Sequence, residues 1–419
     1  MTRIEKMIPG GMGLGTDESG KKVFFWNALP GELVEDFQVI KNKSHFIEAI
    51  ATEFKEPNLH RKTPLDPCFL STSPWQIIDF DYELEIKQEL VVEAFHEHHI
   101  EIETPPIFTD HHDYFYRNKM EYALYYDLNE SIIKLAFHTR GSHRKIPITK
   151  SSIERPELFK KATEIIADLN AHHEEARKYQ TLLLRCNQKG EVSGGLYENH
   201  QPHPIFKPLT DTILGHDYSY SPNGFFQINL PVYEMALQEI KKHITTDDAL
   251  DLYAGVGTIG LSVARDRHLT LVECDKSAFE ELSKNLFIED ISRPTGSELA
   301  RSPVTTGATK RVRNEQILAE SVQNGQIYAK LSKSEDVLDH IQPEQTVILD
   351  PPRAGCDQKL INRLNEVKPR KIIYLSCNPA TQARDVSMLN NFSIEDIKTF
   401  NFFPHTPHIE NLVILSKKS

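Results

Sequence analysis

The sequence contains only five cysteines in 419 residues, and no two of them have the C-x-x-C spacing of zinc sites and redox motifs. It has no apolar run of about 18 residues, the length that a membrane-spanning helix needs. Its N-terminus lacks the apolar stretch of a signal peptide. These absences exclude a disulfide framework and predict a soluble, cytoplasmic protein in a reducing compartment. Any functional cysteine is then expected to act singly.

Charge is unevenly distributed along the chain. The net charge of −12 argues against indiscriminate binding to polyanions. In residues 114–150, however, basic and aromatic side chains alternate, which is typical of an RNA-binding surface because phosphates bind the charges and unpaired bases stack on the rings. A β-sheet whose aromatic side chains form a core explains the pattern equally well. The residues concerned are Arg117, Lys119, Lys134, Arg140, Arg144, Lys145 and Lys150, with Tyr114, Phe115, Tyr116, Tyr122, Tyr125, Tyr126 and Phe137.

Three regions with different patterns follow one another. Short β-like runs separated by glycine and proline predict a small OB-like barrel in residues 1–56. Residues 57–215 are predicted to form a central α+β domain that binds RNA. In residues 216–419, helices alternate with apolar runs, which predicts an α/β domain with a doubly wound, mostly parallel sheet. A segment rich in Ser, Thr, Pro and Gly at about 292–325 interrupts this alternation and is predicted to be a mobile insertion, with its most basic part at 292–314.

A glycine-rich loop, Asp251-Leu-Tyr-Ala-Gly-Val-Gly-Thr-Ile-Gly260, follows the first predicted strand of the α/β domain. In an open α/β sheet, ligands bind beyond the carboxyl ends of the strands, and glycines there allow close approach of the backbone. Glu273 ends the next strand, and its carboxylate suits two ribose hydroxyls. Nicotinamide cofactors and S-adenosylmethionine both contain a ribose, so these residues leave an oxidoreductase and a methyltransferase open.

Other polar residues lie at the same predicted edge. Asp350 precedes two prolines that stiffen the backbone, and Cys377 precedes a predicted helix, whose N-terminus favours a thiolate. Glu410 lies beside a partly apolar loop, an environment that suits a general base with a shifted pKa. Each residue taken alone is also explained as a turn, a small buried side chain or an exposed carboxylate. His405 and His408 do not make a ligand set, so no metal site is predicted.

Several short motifs occur in one order along most of the chain, and in this combination they resemble the RNA uracil-C5 methyltransferases, with a TRAM-like barrel at the start. The resemblance implies S-adenosylmethionine as cofactor, RNA as substrate, Cys377 as nucleophile and Glu410 as base. It implies cofactor contacts from Gln227, Tyr253, Thr258, Glu273 and Asp350. The motifs are Ile8-Pro-Gly-Gly-Met-Gly-Leu-Gly15, Ala28-Leu-Pro-Gly-Glu-Leu-Val34, Arg117-Asn-Lys119, Phe225-Phe-Gln-Ile-Asn229, the glycine loop, Asp350-Pro-Pro-Arg353, Ser376-Cys-Asn-Pro379 with Thr381 and Arg384-Asp385, and His405-x-x-His408-x-Glu410.

The implied chemistry accounts for these residue types. C5 of uracil is a poor nucleophile, and addition of a cysteine thiolate to C6 converts the ring to an enolate that attacks the methyl group of the cofactor. A base then removes the C5 proton, and elimination expels the cysteine and leaves 5-methyluridine. Because the uridine has to leave its stack, a single-stranded or loop uridine is the expected target.

The sequence departs from this family at three places. Many members hold an iron–sulfur cluster on four cysteines, whereas this chain has only Cys68 in that region and Ser151 where the last cysteine is expected. One thiolate does not hold such a cluster, so none is predicted. Asn401 stands where the family tends to have aspartate, which weakens a role based on charge there. The insertion makes the alignment of a further cofactor contact near Ser332 uncertain.

Three interpretations therefore remain from the sequence. An RNA uridine C5-methyltransferase explains every motif, and 23S rRNA is favoured as its substrate because a TRAM-like start accompanies many large-rRNA members. A tRNA T-loop uridine is the alternative target. A nucleotide-cofactor oxidoreductase leaves Cys377 and Glu410 unexplained, and a non-catalytic RNA-binding protein does not need them.

Overall fold

The structure is a computed structural model, and it describes residues 1–172, 178–198, 200–203, 206–288 and 321–418. The basic part of the predicted insertion, 292–314, lies outside the described residues. Among the described helices, none is both long and apolar enough to cross a membrane.

The N-terminal strands form a closed barrel in the order β1-β2-β3-β5-β4, which confirms the predicted small barrel. Alternate side chains of these strands point inward, as in any small barrel. Val23, Phe25 and Ala49 are among the fully buried side chains of its core. The strands are β1 (Thr2–Met7), β2 (Gly13–Thr16), β3 (Lys22–Trp26), β4 (Leu33–Asn42) and β5 (Phe46–Glu56).

The central region contains a six-stranded sheet in the order β12-β11-β10-β7-β8-β9, with α3 packed on one face. Pro156 begins α3, where its fixed φ suits the first helical turn. Its elements are α1 (Phe69–Thr72), α2 (Phe80–His96), β6 (Ile107–Phe108), β7 (Lys119–Asp127), β8 (Ile132–His138), β9 (Lys145–Pro147), α3 (Pro156–Ala171), β10 (Tyr179–Cys186), β11 (Val192–Glu198) and β12 (Gln201–His203).

For some of the aromatic residues in 114–150, this sheet decides between an RNA-binding surface and a buried core. Tyr122 and Phe137 are buried in the core beneath α3, and the hydroxyl of the buried Tyr116 donates to the carbonyl of Pro404. Phe115, by contrast, is about half exposed at 53%. The alternation therefore reflects in part an ordinary sheet with a buried face.

The remaining residues form a two-stranded hairpin and an α/β unit with helices on both faces of its sheet, which confirms the predicted fold class. The sheet has the order β17-β18-β16-β15-β19-β20-β22-β21-β6. Its elements are β13 (Leu209–Ile213) and β14 (His216–Tyr220), which form the hairpin, then α4 (Leu230–Lys242), β15 (Asp248–Leu252), α5 (Thr258–Val263), β16 (His268–Glu273), α6 (Lys276–Asn285), β17 (Ser321–Asn324), β18 (Ile327–Leu331), β19 (Thr346–Leu349), α7 (Gln358–Val367), β20 (Lys371–Ser376), α8 (Pro379–Met388), β21 (Phe392–Phe400) and β22 (Glu410–Lys417).

Two features of this sheet differ from the simplest expectation. Strand β17 pairs with β18, so residues 321–324 belong to the sheet and the predicted insertion ends before residue 325. The neighbours β18, β16, β15, β19 and β20 run parallel, but β22 runs antiparallel to β20. Strand β22 therefore begins at the edge where the parallel strands end.

The two faces of the sheet are covered by different parts of the chain. One apolar cluster combines Met7 and Leu29 of the barrel with Ile86 and Val91 of α2 and with Leu250 of β15. Strand β6 also pairs with β21 and so continues the sheet with a segment that precedes the central sheet in the chain. The barrel and α2 are thus part of the covering of the α/β sheet.

Candidate active site

The sequence-predicted site residues meet at one edge of the sheet. Tyr253 follows the last residue of β15, Glu273 ends β16, Asp350 follows β19 and Cys377 follows β20. Because these four strands are parallel neighbours, their carboxyl ends lie side by side. Glu410 joins them from the opposite chain direction as the first residue of β22.

The glycine loop contains one glycine, Gly260, at which a side chain has no room, and another, Gly255, that borders open space. The backbone N–H of Gly260 donates to Oδ2 of Asp251 at 2.8 Å, and a Cβ on Gly260 would lie 2.7 Å from that oxygen. A Cβ on Gly255 would meet nothing within 4 Å, so open space adjoins the backbone there. Tyr253 adopts a left-handed backbone with φ 66°, which is strained for a residue with a large side chain.

The carboxylate of Glu273 is fixed by the backbone. Its Oε2 accepts from the N–H of Gly255 at 2.7 Å, and its Oε1 accepts from the N–H of Asp275 at 2.6 Å. Each carboxylate oxygen has a further lone pair. Glu273 is therefore held in one orientation and can still accept hydrogen bonds from ligand hydroxyls.

Thr258 and Gln227, two other predicted cofactor contacts, already use polar groups in hydrogen bonds within the protein. Thr258 is buried at the start of α5, and its hydroxyl accepts from the Tyr233 hydroxyl at 2.9 Å. The backbone carbonyl of Gln227 accepts from the side chains of Asn118 and Arg185, which joins its loop to the central sheet. Gln227 is itself buried.

Cys377, Asp350 and Glu410 form an electrostatically coupled group. Burial raises the pKa of the Cys377 thiol and, together with the nearby carboxylates of Glu410 and Asp350, brings it to about 11. Burial also raises the pKa of Asp350 to about 7 and the pKa of Glu410 well above its ordinary value, with Asp350 contributing to the latter. A neighbouring cation opposes these shifts for Cys377 and Glu410.

The helix that the sequence predicts after Cys377 is present as α8, which begins at Pro379. Burial and the carboxylates of Glu410 and Asp350 raise the pKa of the Cys377 thiol, which opposes the stabilisation of a thiolate that the sequence predicts from the helix N-terminus.

Arg353 is the cation that faces this group. Its charge lowers the pKa of both Cys377 and Glu410. Its backbone carbonyl accepts from the side chains of Asn378 and Thr381, at 2.9 Å and 3.1 Å, and so fixes the segment after Cys377. Its guanidinium lies 3.0 Å from Nδ1 of His408. Arg353 thus connects the cysteine segment with the segment that precedes Glu410.

His408 is suited to this pairing. Burial and the charge of Arg353 lower its pKa to about 4, so the imidazole is neutral at physiological pH and Nδ1 can accept from the guanidinium. Among the described residues, no group of three or more His, Cys, Asp or Glu side chains is placed to hold a metal ion.

The segment 401–410, which we call the base loop, is held by residues that the sequence did not single out. Lys87 on α2 is completely buried and donates to Glu83 at 2.7 Å and to Oδ1 of Asn401 at 2.7 Å. Glu83 accepts from the backbone N–H of His405, and Nε2 of His405 lies 3.1 Å from Oδ2 of Asp113. Asn401 therefore acts as a hydrogen-bond acceptor for a buried ammonium group.

The residues near Cys68 do not fit an iron–sulfur cluster. The carboxylate of Asp66 accepts from the backbone and hydroxyl of Ser152, at 3.0 Å and 2.8 Å, and from the amide of Gln76 at 2.8 Å. Burial raises the pKa of the Cys68 thiol to about 11, which favours the protonated form over a metal-binding thiolate. A hydrogen-bonded polar cluster occupies this place.

Comparison with known proteins identifies the α/β unit. Residues 213–418 match the sequence family described as tRNA (Uracil-5-)-methyltransferase. Residues 213–418 are therefore similar to the RNA uracil-C5 methyltransferases. This match decides against the oxidoreductase that the glycine loop and Glu273 had left open, and it assigns an RNA-modifying enzyme.

Full-length similarities agree with this assignment. The chain is 26% identical to an uncharacterized RNA methyltransferase of Synechocystis, over 98% of this chain and 95% of that protein. It is also 26% identical to an uncharacterized RNA methyltransferase of Bacillus cereus, over 99% and 96%. The crystal structure of the Pyrococcus abyssi tRNA (uracil-54, C5)-methyltransferase in complex with S-adenosyl-L-homocysteine superposes with a TM-score of 0.68 and 21% identity, over 99% of this chain and 100% of that one. The whole three-part fold therefore has a known relative.

Proposed function

We propose that the protein methylates C5 of a uridine in RNA with S-adenosylmethionine as the methyl donor, with Cys377 as nucleophile and Glu410 as general base. The observation that carries this proposal is the placement of Cys377 directly after β20 and of Glu410 at the start of the adjacent strand β22, at the edge that holds the glycine loop. A buried thiol beside a buried carboxyl group, next to a cofactor-shaped loop, suits covalent catalysis followed by proton removal.

The cofactor site is proposed to consist of Gln227, Tyr253, Thr258, Glu273 and Asp350. The oriented carboxylate of Glu273 suits the ribose hydroxyls, and the open space beside Gly255 suits a ligand close to the backbone. When bound, S-adenosylmethionine supplies an electrophilic methyl group on a positively charged sulfur. Burial raises the pKa values of Asp251, Asp350 and Glu410, and a positive charge near these carboxyl groups favours their ionised forms.

The chain's own residues account for the remaining steps. The Cys377 thiol loses its proton to solvent water and its sulfur bonds to C6 of the uracil, which moves the electron pair of the C5–C6 double bond toward O4. After C5 carries the methyl group, Glu410 takes the C5 proton. The electron pair of the C5–H bond then restores the C5–C6 double bond and the C6–S bond breaks, which frees Cys377. Arg353 stabilises the negative charge on Cys377 by its own positive charge.

We propose 23S rRNA as the substrate class, on the basis of the TRAM-like barrel. A uridine in tRNA is the second candidate, because the Pyrococcus abyssi enzyme with a similar fold is a tRNA (uracil-54, C5)-methyltransferase. Either substrate places the enzyme in the cytoplasm. In both cases the uridine has to leave its stack to reach a buried thiol.

The test is nucleoside mass spectrometry after incubation of the purified protein and S-adenosylmethionine with unmodified tRNA and unmodified rRNA in separate tubes. We expect 5-methyluridine in the rRNA tube and none with Cys377→Ala. Product in the tRNA tube alone would replace rRNA by tRNA. Absence of 5-methyluridine from both tubes, with methyl incorporated elsewhere, would contradict the proposed reaction.

A further inference from the structure

The N-terminal barrel contacts the base loop through the tight turn between β1 and β2. The turn between β1 and β2 contains Gly10 and Gly11, both with φ 92°, in the left-handed region that favours glycine. A Cβ on Gly11 would lie 2.6 Å from Cβ and 2.7 Å from Cγ of Pro407. The Gly11 backbone is thus in direct contact with the base loop, and only glycine fits between them.

Trp75 forms hydrogen bonds to both the barrel turn and the base loop. Its indole N–H donates to the carbonyl of Gly11 at 3.1 Å, and its backbone N–H donates to the carbonyl of His405 at 3.0 Å. The indole is almost completely buried, at 1% exposure. One residue therefore binds the barrel turn and the base loop at the same time, where neither hydrogen bond competes with solvent.

The contact lies close in sequence to the reacting groups. Pro407 is the residue before His408, which pairs with Arg353, and it lies three residues before Glu410. The base loop leads into β22 without an intervening element. A shift of Pro407 is consequently transmitted to His408 and to the start of β22.

We infer that Gly11 is a positioning residue for the methylation reaction, because the barrel turn fixes the base loop that carries Glu410. The barrel is then a structural part of the active site in addition to any contact with RNA. This inference rests on the proposed role of Glu410 as base. It concerns the orientation of Glu410 and does not require that Gly11 contact substrate or cofactor.

The test compares Gly11→Ala with Gly10→Ala in the full chain. Both substitutions place a methyl group at φ 92°, but a Cβ on Gly10 would meet nothing within 4 Å. Both variants share the backbone strain, and only Gly11→Ala displaces Pro407. We expect kcat of Gly11→Ala to fall by about 100-fold relative to Gly10→Ala, the usual cost of misplacing a catalytic group by about 1 Å, with KM for RNA unchanged within about threefold.

The reaction step provides a second readout. Misplacement of Glu410 slows proton removal, so Gly11→Ala is expected to accumulate the covalent Cys377–RNA adduct, which denaturing electrophoresis detects. In a Pro407→Gly background, the two atoms that would lie nearest to the new methyl group, Cβ and Cγ of Pro407, are absent. When Gly11→Ala is added to the Pro407→Gly variant, kcat is expected to change by less than about twofold. The effects of the two substitutions are then not additive, as expected for residues in contact.

Trp75→Phe provides a second variant if Gly11→Ala fails to fold, since it keeps a buried aromatic ring and removes the indole hydrogen bond to Gly11 together with part of the ring volume. We expect kcat to fall about fivefold from the loss of one such bond, again at unchanged KM. Equal kcat for Gly10→Ala and Gly11→Ala, or additive effects with Pro407→Gly, would overturn the inference. Failure of the proposed function is distinguished by Glu410→Gln: full turnover in that variant refutes the base itself, whatever Gly11→Ala does.

Discussion

Cys377 and Glu410 lie on opposite sides of one antiparallel strand junction: Ser376, which precedes Cys377, pairs with Asn411, which follows Glu410. The two residues therefore extend the register of β20 and β22 by one position. Such cross-strand neighbours have closely spaced side chains. This relationship explains why the carboxyl group of Glu410 raises the pKa of the Cys377 thiol.

Substitution of these two residues is expected to separate the steps of the reaction. Cys377→Ala should abolish methylation and form no covalent adduct, because no nucleophile remains. Glu410→Gln should lower turnover by about 100-fold or more, the usual contribution of a general base, and accumulate a protein–RNA adduct. Denaturing electrophoresis with labelled RNA measures both.

A matched control for this pair is Glu366→Gln, which removes an exposed carboxylate of α7 that pairs with Arg363. It should leave turnover unchanged. Retained turnover in Glu410→Gln without any adduct would contradict the role of Glu410.

The reactivity of Cys377 in the free protein should depend steeply on pH. Only the thiolate is alkylated, and a pKa of about 11 leaves a small thiolate fraction at neutral pH. The rate of alkylation by iodoacetamide is therefore expected to rise about tenfold per pH unit between pH 7 and 9 and to show no plateau there. Mass spectrometry of the peptide with Cys377 separates it from the exposed Cys274.

Arg353→Gln should slow this alkylation further. The guanidinium lowers the pKa of Cys377, so its removal raises that pKa and reduces the thiolate fraction at every pH below it. Arg363→Gln serves as the control, since Arg363 pairs with Glu366 on α7. Equal alkylation rates in the two variants would show that Arg353 does not stabilise the thiolate.

The affinity for S-adenosylmethionine relative to S-adenosylhomocysteine should depend on pH, because the charge of Asp350 changes with pH. S-adenosylmethionine and S-adenosylhomocysteine differ by a methyl group and one positive charge. Burial raises the pKa of Asp350 to about 7, so its carboxyl group is mostly neutral at pH 6 and mostly ionised at pH 8. The cationic cofactor favours the ionised form, and its affinity relative to S-adenosylhomocysteine is expected to rise over this range.

Titration calorimetry of both cofactors at pH 6, 7 and 8 measures this effect. A lowering of the Asp350 pKa by one unit corresponds to about a tenfold change in the affinity ratio. In Asp350→Asn the ratio should depend much less on pH. A ratio that is constant with pH in the unsubstituted protein would contradict this electrostatic account.

Purified protein is expected to contain no iron–sulfur cluster. Cys68 is the one cysteine in its region, and Asp66, Ser152 and Gln76 satisfy one another by hydrogen bonds. We expect no stoichiometric iron by elemental analysis and no visible absorption band, before and after anaerobic reconstitution. A brown protein with stoichiometric iron would refute this prediction.

Local patterns in the sequence were sufficient for much of the fold. Glycine and proline between short runs predicted the barrel, and alternating apolar runs and helices predicted the parallel sheet. The edge location of Glu273, Asp350 and Cys377 follows from that topology, because parallel strands end on the same side. Their roles remain proposals, as do the cofactor contacts and the domain boundaries at 56/57 and 215/216.

Contacts between distant parts of the chain were not predictable. Lys87 and Asn401 are 314 residues apart, and no local pattern pairs a lysine of an amphipathic helix with a loop asparagine. The raised pKa of Cys377 was also missed. It results from burial and from two carboxylates on other strands, whereas the sequence reveals only the adjacent helix.

The apolar cluster that joins Met7, Leu29 and Ile86 to Leu250 has a consequence for folding cooperativity. Removal of the barrel and α2 would expose to water the part of this sheet face that α7 and α8 do not cover, at a cost proportional to the apolar area exposed. Residues 216–419 alone are therefore expected to be less stable than they are in the full chain. The protein is expected to lose its barrel and its sheet in a single unfolding transition, because the two share one core.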